Sequence, residues 1–264
     1  MGAGLALFAA LALGVWPGGE SRPPLLQFGA DSAEGMLVNR SPGSRPFDPV
    51  DPRRPTIVFI HGCNPAPKLV HFTMTNRLAE AIGQRYGTRF NVLEWDWNAA
   101  TFVGLKRRGN ETRALEQGRR LASALLHAGL APARIHLIGH SSGAIVAASA
   151  ARTVLDQGQP PMAQLTLLDP ALMYHRLVFD FLKAGTLSPR VENYWTSRPS
   201  GYGGVAQSPG IRNFQVVGPT PYLGTVSVSH SNHFHVVYWY LASIQDRAYP
   251  GGFNTSVLAV APGL

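Results

Sequence analysis

Residues Ile135 to Ile138 are apolar and β-favouring, Ala144 to Leu155 are small and helix-favouring, and only Gly139-His140-Ser141-Ser142-Gly143 separates them. A strand and a helix joined by so short a turn must lie against each other, and a Cβ at either glycine would crowd that contact. G-x-S-x-G at a strand-to-helix turn is the arrangement that holds a serine hydroxyl exposed on a strained corner. With 28 glycines in 264 residues, the pattern alone would arise by chance in about one such chain in five. Its weight depends on what the rest of the chain supplies.

The surrounding texture repeats the same alternation. Thr56 to Ile60 is a continuous apolar run, as expected of a strand buried on both faces of a parallel sheet. Residues 72–86 follow at helical spacing, 90–95 read as the next strand and 112–128 as a helix. After the strand 135–138 and the helix 142–156 come strands at 165–168, 191–196 and 214–217, a polar Gly/Pro/Ser-rich segment at 197–213, and a last helix at 236–244. Such alternation predicts right-handed βαβ units in a doubly wound, mostly parallel sheet with helices on both faces. The organisation expected is an apolar N-terminal segment (1–22), an extended Pro/Gly-rich leader (23–55) in which only Met36 to Val38 could form a strand, and one α/β domain (56–264).

The apolar stretch Gly2 to Val15 has the length of a secretory signal and is short for a membrane span, although it lacks a basic start. Export to the periplasm or the exterior is the first expectation, an uncleaved interfacial anchor the alternative. Cys63 is the only cysteine, which excludes an intramolecular disulfide. The net charge of +8 is spread along the chain, its densest cluster being Lys106-Arg107-Arg108. Without an aromatic-and-basic strip, no nucleic-acid partner is expected.

A serine needs a base to take its proton and an acid to orient that base. In open α/β sheets such groups gather beyond the carboxyl ends of the strands. Asp169 directly follows the strand 165–168, one crossover after Ser141; a helix cap or an Asp-Pro turn with Pro170 explains it equally well. His230, His233 and His235 crowd together near the last helix, where chain order places the base. A metal site is disfavoured there, because no carboxylate or thiolate accompanies the cluster. One oxyanion donor in this arrangement is the backbone N–H after the nucleophile, here Ser142.

Taken together these segments resemble the animal lipase family, pancreatic lipase and its relatives. The likeness rests on Gly139 to Ala144, Leu168-Asp169-Pro170-Ala171, Asn232-His233 ahead of a Tyr-bearing helix (Tyr240), and Phe59-Ile60-His61-Gly62, with Asp96-Trp97 in addition. It spans residues 55–246 and implies an α/β-hydrolase fold. It also implies Ser141 as nucleophile, Asp169 as acid and His233 as the histidine among the three. The second oxyanion donor would be Cys63, after His-Gly, with Asn64 beside it. The implied substrate is a lipid or other acyl ester, with a short-chain ester as the second choice and a non-catalytic binding protein as the rival. A lipid-interface contact is compatible with it, and no metal or organic cofactor is implied. Residues 245–264 stand where the family carries a β-sandwich, and a lid, if present, is not tied by a disulfide. The apolar segment Leu172 to Leu182 reads as a core helix, or else as the wall of an acyl pocket.

Overall fold

The structure is a computed structural model that describes residues 35–63, 71–98, 110–199, 201–218 and 232–261. Expectations for the N-terminal stretch, Asn64, the Lys106 cluster and His230 lie outside these residues. The chain runs β1 (Met36–Asn39), β2 (Thr56–Ile60), α1 (His71–Tyr86), β3 (Asn91–Asp96), α2 (Asn110–His127), β4 (Ile135–His140), α3 (Gly143–Asp156), β5 (Gln164–Leu168), α4 (Leu172–Phe181), β6 (Val191–Trp195), β7 (Ile211–Gln215) and α5 (His235–Gln245). The described strands form one sheet in the order β1-β3-β2-β4-β5-β6-β7. All neighbours pair in parallel except β1, which lies antiparallel to β3. The order reverses between β2 and β4, so a crevice opens beyond their carboxyl ends.

Every residue of β2, β4 and β5 is buried, as continuous apolar runs predict for strands covered on both faces. On one face α2 and α3 pack closely. Ala144, Ala147, Ala148, Ala150 and Ala151 of α3 are fully buried, and a Cβ on Gly118 of α2 would collide with the Ser149 side chain of α3. Small residues on both helices are what let them approach. The other face is covered by α1, α5 and a C-terminal segment whose Phe253 and Leu258 join the core. That segment is fastened by Arg89, which donates to the carbonyls of Leu258 and Ala261. The Ser256 hydroxyl is hydrogen-bonded to His136 Nδ1 at 3.0 Å, and Val257 N donates to Gln164 Oε1.

Three segments differ from the sequence expectation. The strand allowed at Met36 to Val38 is present as β1, with Leu37 and Val38 buried, but the described part of the leader around it is no exposed arm, for Asn91 Nδ2 reaches back to the Asp51 carbonyl. The sheet therefore starts twenty residues before Thr56. β7 begins at Ile211 rather than Phe214, because Asn193 Nδ2 donates to Asn213 Oδ1 at 2.8 Å and this amide pair extends the ladder into a polar stretch. β4 continues past the apolar run through Gly139 and His140, which pair with Leu167 and Leu168. In α4, Leu172 and Phe179 belong to the core, whereas Leu177 stands 82 % exposed.

Candidate active site

Four strand ends carry the site: β2 runs into His61-Gly62-Cys63, β4 into Ser141, β5 into Asp169 and β6 into Thr196. Ser141 has φ +56° and Asp169 φ +43°. Side-chain-bearing residues avoid this left-handed region, at a cost of about 1–3 kcal/mol each. The surroundings hold both in place. Ser141 N donates to the Leu168 carbonyl and Asp169 N to the Tyr194 carbonyl, at 3.0 and 2.7 Å.

The two elbow glycines have separate reasons. A Cβ on Gly139 would stand 2.7 Å from Ala144 Cα, where the strand meets its own helix. On Gly143 it would collide with the Ile60 and His61 carbonyls of the neighbouring loop. That loop sits directly against the serine, since a Cβ on Gly62 would lie 2.7 Å from Ser141 Cβ and 3.2 Å from its Oγ. Its shape is fixed by His61. The ring donates Nδ1–H to the Gly62 carbonyl at 2.8 Å and accepts Trp97 N–H on Nε2 at 3.1 Å, while Trp97 Nε1 donates to the His61 carbonyl. Cys63 follows, exposed. Ser142, nearly buried, stands at the N-terminus of α3, where the helix dipole favours negative charge.

Asp169 is wholly buried, and its carboxylate has four donors. Oδ1 accepts the N–H groups of Thr196 and Gly203, both at 3.2 Å. Oδ2 accepts Tyr202 N–H at 3.0 Å and His233 Nδ1–H at 2.5 Å. Replacing water by these donors is what makes a fully buried carboxylate tolerable. Three of them are backbone groups, Thr196 at the end of the strand expected at 191–196 and Tyr202 and Gly203 in the polar segment 197–213 that the sequence marks only as lying between strands. Its only signal was Gly201, Gly203 and Gly204, and a Cβ on Gly203 would indeed collide with Asp169 Oδ1.

The His233 ring packs against two others. The His140 ring is 4.4 Å away and tilted, and Tyr202 approaches edge-on at 4.6 Å. His140 Nε2–H also points at the His233 carbonyl, 3.4 Å away. Asn232 Nδ2 donates to the Pro199 carbonyl at 2.6 Å, tying the histidine segment to the loop that clasps Asp169. His235 is buried in the first turn of α5; burial, reinforced by the Arg198 cation, lowers its pKa to about 4. The structure thus brings Asp169 and His233 into contact and sets Gly62 against Ser141. Ser141 Oγ and His233 make no hydrogen bond with each other in this state, a link that often tightens only when substrate binds.

A mostly parallel sheet with this reversal, helices on both faces and a left-handed serine between β4 and α3 define the α/β-hydrolase fold. No family model and no functionally curated sequence matches the chain. Among solved structures it is similar to the thioesterase of the prodiginine biosynthetic pathway in Streptomyces coelicolor (17% identity, TM-score 0.45, covering 77% of this chain and 90% of that one). It is also similar to an alpha-beta serine hydrolase homologue from Coxiella burnetii (14%, 0.44, 80% and 89%) and to an esterase from Pyrobaculum calidifontis (18%, 0.43, 85% and 90%). The resemblance to the animal lipases rests on the local motifs alone.

Proposed function

We propose that the protein is a serine hydrolase of carboxylic esters that works through an acyl-enzyme. The observation that carries this reading is the wholly buried Asp169 carboxylate gripping His233 Nδ1 at 2.5 Å. A carboxylate so held fixes the imidazole with its proton on Nδ1 and leaves Nε2 as the basic nitrogen. In the first half-reaction His233 Nε2 takes the Ser141 hydroxyl proton while Oγ bonds to the ester carbonyl carbon. The carbonyl electron pair moves onto oxygen, where the N–H groups of Ser142 and Cys63 would receive it. As the intermediate collapses, the alcohol leaves with the proton from His233. Water then repeats the sequence on the acyl-serine, releasing the acid and restoring Ser141.

A serine-directed phosphonate tests the reading. It should label the wild type at Ser141 and leave Ser141→Ala untouched; an unlabelled wild type would refute it. Single alanine replacements at His230, His233 and His235 should abolish labelling only at His233. Loss at either neighbour with His233 tolerant would move the base.

A further inference from the structure

Directly beneath the site, on the α1/α5 face of the sheet, lies a cavity of about 30 Å³ with a largely apolar lining. Its upper wall is built from the chain neighbours of the site residues. His140 precedes Ser141, Leu168 precedes Asp169, His61 precedes the Gly62 that touches Ser141, and Phe234 follows His233. The floor and sides include Met74 and Leu78 of α1, both nearly buried. A void with few polar partners holds water poorly, which suits it to hydrocarbon.

We propose that this cavity is the acyl subsite and that it restricts the enzyme to esters of short, unbranched acids. The inference rests on the ester-hydrolase reading and chooses within it, against the long-chain lipid that the lipase resemblance implies. One water-sized group needs about 10–15 Å³ of such space, so the cavity takes two or three such groups and an acyl chain of about two to four carbons. A longer chain meets Met74 and Leu78, side chains of a helix packed on the sheet. Met74, unbranched and able to change rotamer, is the wall residue whose size sets the limit.

The test is a series of p-nitrophenyl esters from acetate to dodecanoate, compared within each protein as ratios of kcat/KM so that any unfolded fraction cancels. Wild type should favour acetate to butanoate, with octanoate at least about tenfold poorer than butanoate. Met74→Ala should raise the octanoate-to-butanoate ratio about tenfold. Leu78→Phe should lower the butanoate-to-acetate ratio about tenfold by filling the same space. A wild type that prefers octanoate or longer, or ratios unchanged in both variants, overturns the subsite. If wild type neither hydrolyses esters nor takes the phosphonate, the catalytic reading fails on its own. The cavity is then read from the ¹³C-methyl resonance of Met74 during titration with butanoate and octanoate. A shift with butanoate alone upholds a short-chain subsite, and no shift with either overturns it.

Discussion

Gly203→Ala is the sharpest perturbation the structure offers, because Gly204→Ala provides its control one residue away. At Gly203 a Cβ would collide with Asp169 Oδ1 and stand 3.0 Å from Trp195 Cβ, whereas at Gly204 it would meet nothing within 4 Å. The new methyl can be accommodated only if the 202–203 backbone retreats from the carboxylate. That retreat lengthens the hydrogen bonds from Tyr202 N and Gly203 N, now 3.0 and 3.2 Å. A hydrogen bond to a charged group contributes about 1.5–3 kcal/mol, so loss of one or both should destabilise the fold by about 1.5–6 kcal/mol. Asp169 also sets the direction of His233, and a misplacement of about 1 Å in a reacting group lowers rate about 100-fold, or about 2.7 kcal/mol of barrier. Chemical denaturation and the second-order rate of phosphonate labelling, measured on both variants, separate the two effects. Gly203→Ala should lose stability and label about 100-fold more slowly, while Gly204→Ala should match wild type in both. Equal behaviour of the two variants would refute the clasp.

Gly62→Ala should slow labelling at least about 100-fold with a smaller loss of stability, since its methyl would enter the space 3.2 Å from Ser141 Oγ; an unimpaired labelling rate would show that the loop lies elsewhere during reaction. Modifying exposed Cys63 with a bulky maleimide should slow turnover more than methylthiolation does, and full activity after complete modification would remove Cys63 from the oxyanion loop. Burial, aided by the Arg190 cation, lowers the His136 pKa to about 3. The unfolded chain therefore binds a proton near pH 6.5 that the folded chain refuses, and this contribution to stability is complete above pH 6.5 and falls away as pH drops toward 3, at up to about 1.4 kcal/mol per pH unit. His136→Gln should flatten the fall of the denaturation free energy between pH 6 and 4; an identical slope would show that His136 does not titrate on unfolding.

The sheet was legible where burial on both faces forces continuous apolar runs. In Thr56 to Ile60 and Ile135 to Ile138 every side chain is apolar except Thr56 and His136, and each of those is paired by hydrogen bonds. β7 was displaced in the sequence reading because Asn213 earns its place through a cross-strand amide bond with Asn193, and hydropathy scores such a residue as loop. β1 was undervalued for a related reason. Four residues of strand carry little pattern of their own, and their burial comes from β3, which is far away in sequence. The C-terminal segment is held by Arg89, His136 and Gln164, partners whose polarity gave no hint that they face a covering strap.

For the site, the asymmetry lies between side chains and backbone. Ser141 and Asp169 could be named because each directly follows a strand, whereas His233, in the turn ahead of α5, was singled out from its two neighbours only by the resemblance to the lipases. Three of the four donors that hold Asp169 are N–H groups of Thr196, Tyr202 and Gly203, and every non-proline residue carries an N–H. Only the requirement for closeness leaves a trace, as a residue without Cβ where the chain touches the carboxylate. The same segment lays Tyr202 against the His233 ring and receives Asn232 at the Pro199 carbonyl. One loop therefore holds the Asp169 carboxylate and braces the His233 ring together. Substitutions in it should move acid and base as a unit, so that Gly203→Ala combined with Asn232→Ala costs less in labelling rate than the product of the two alone.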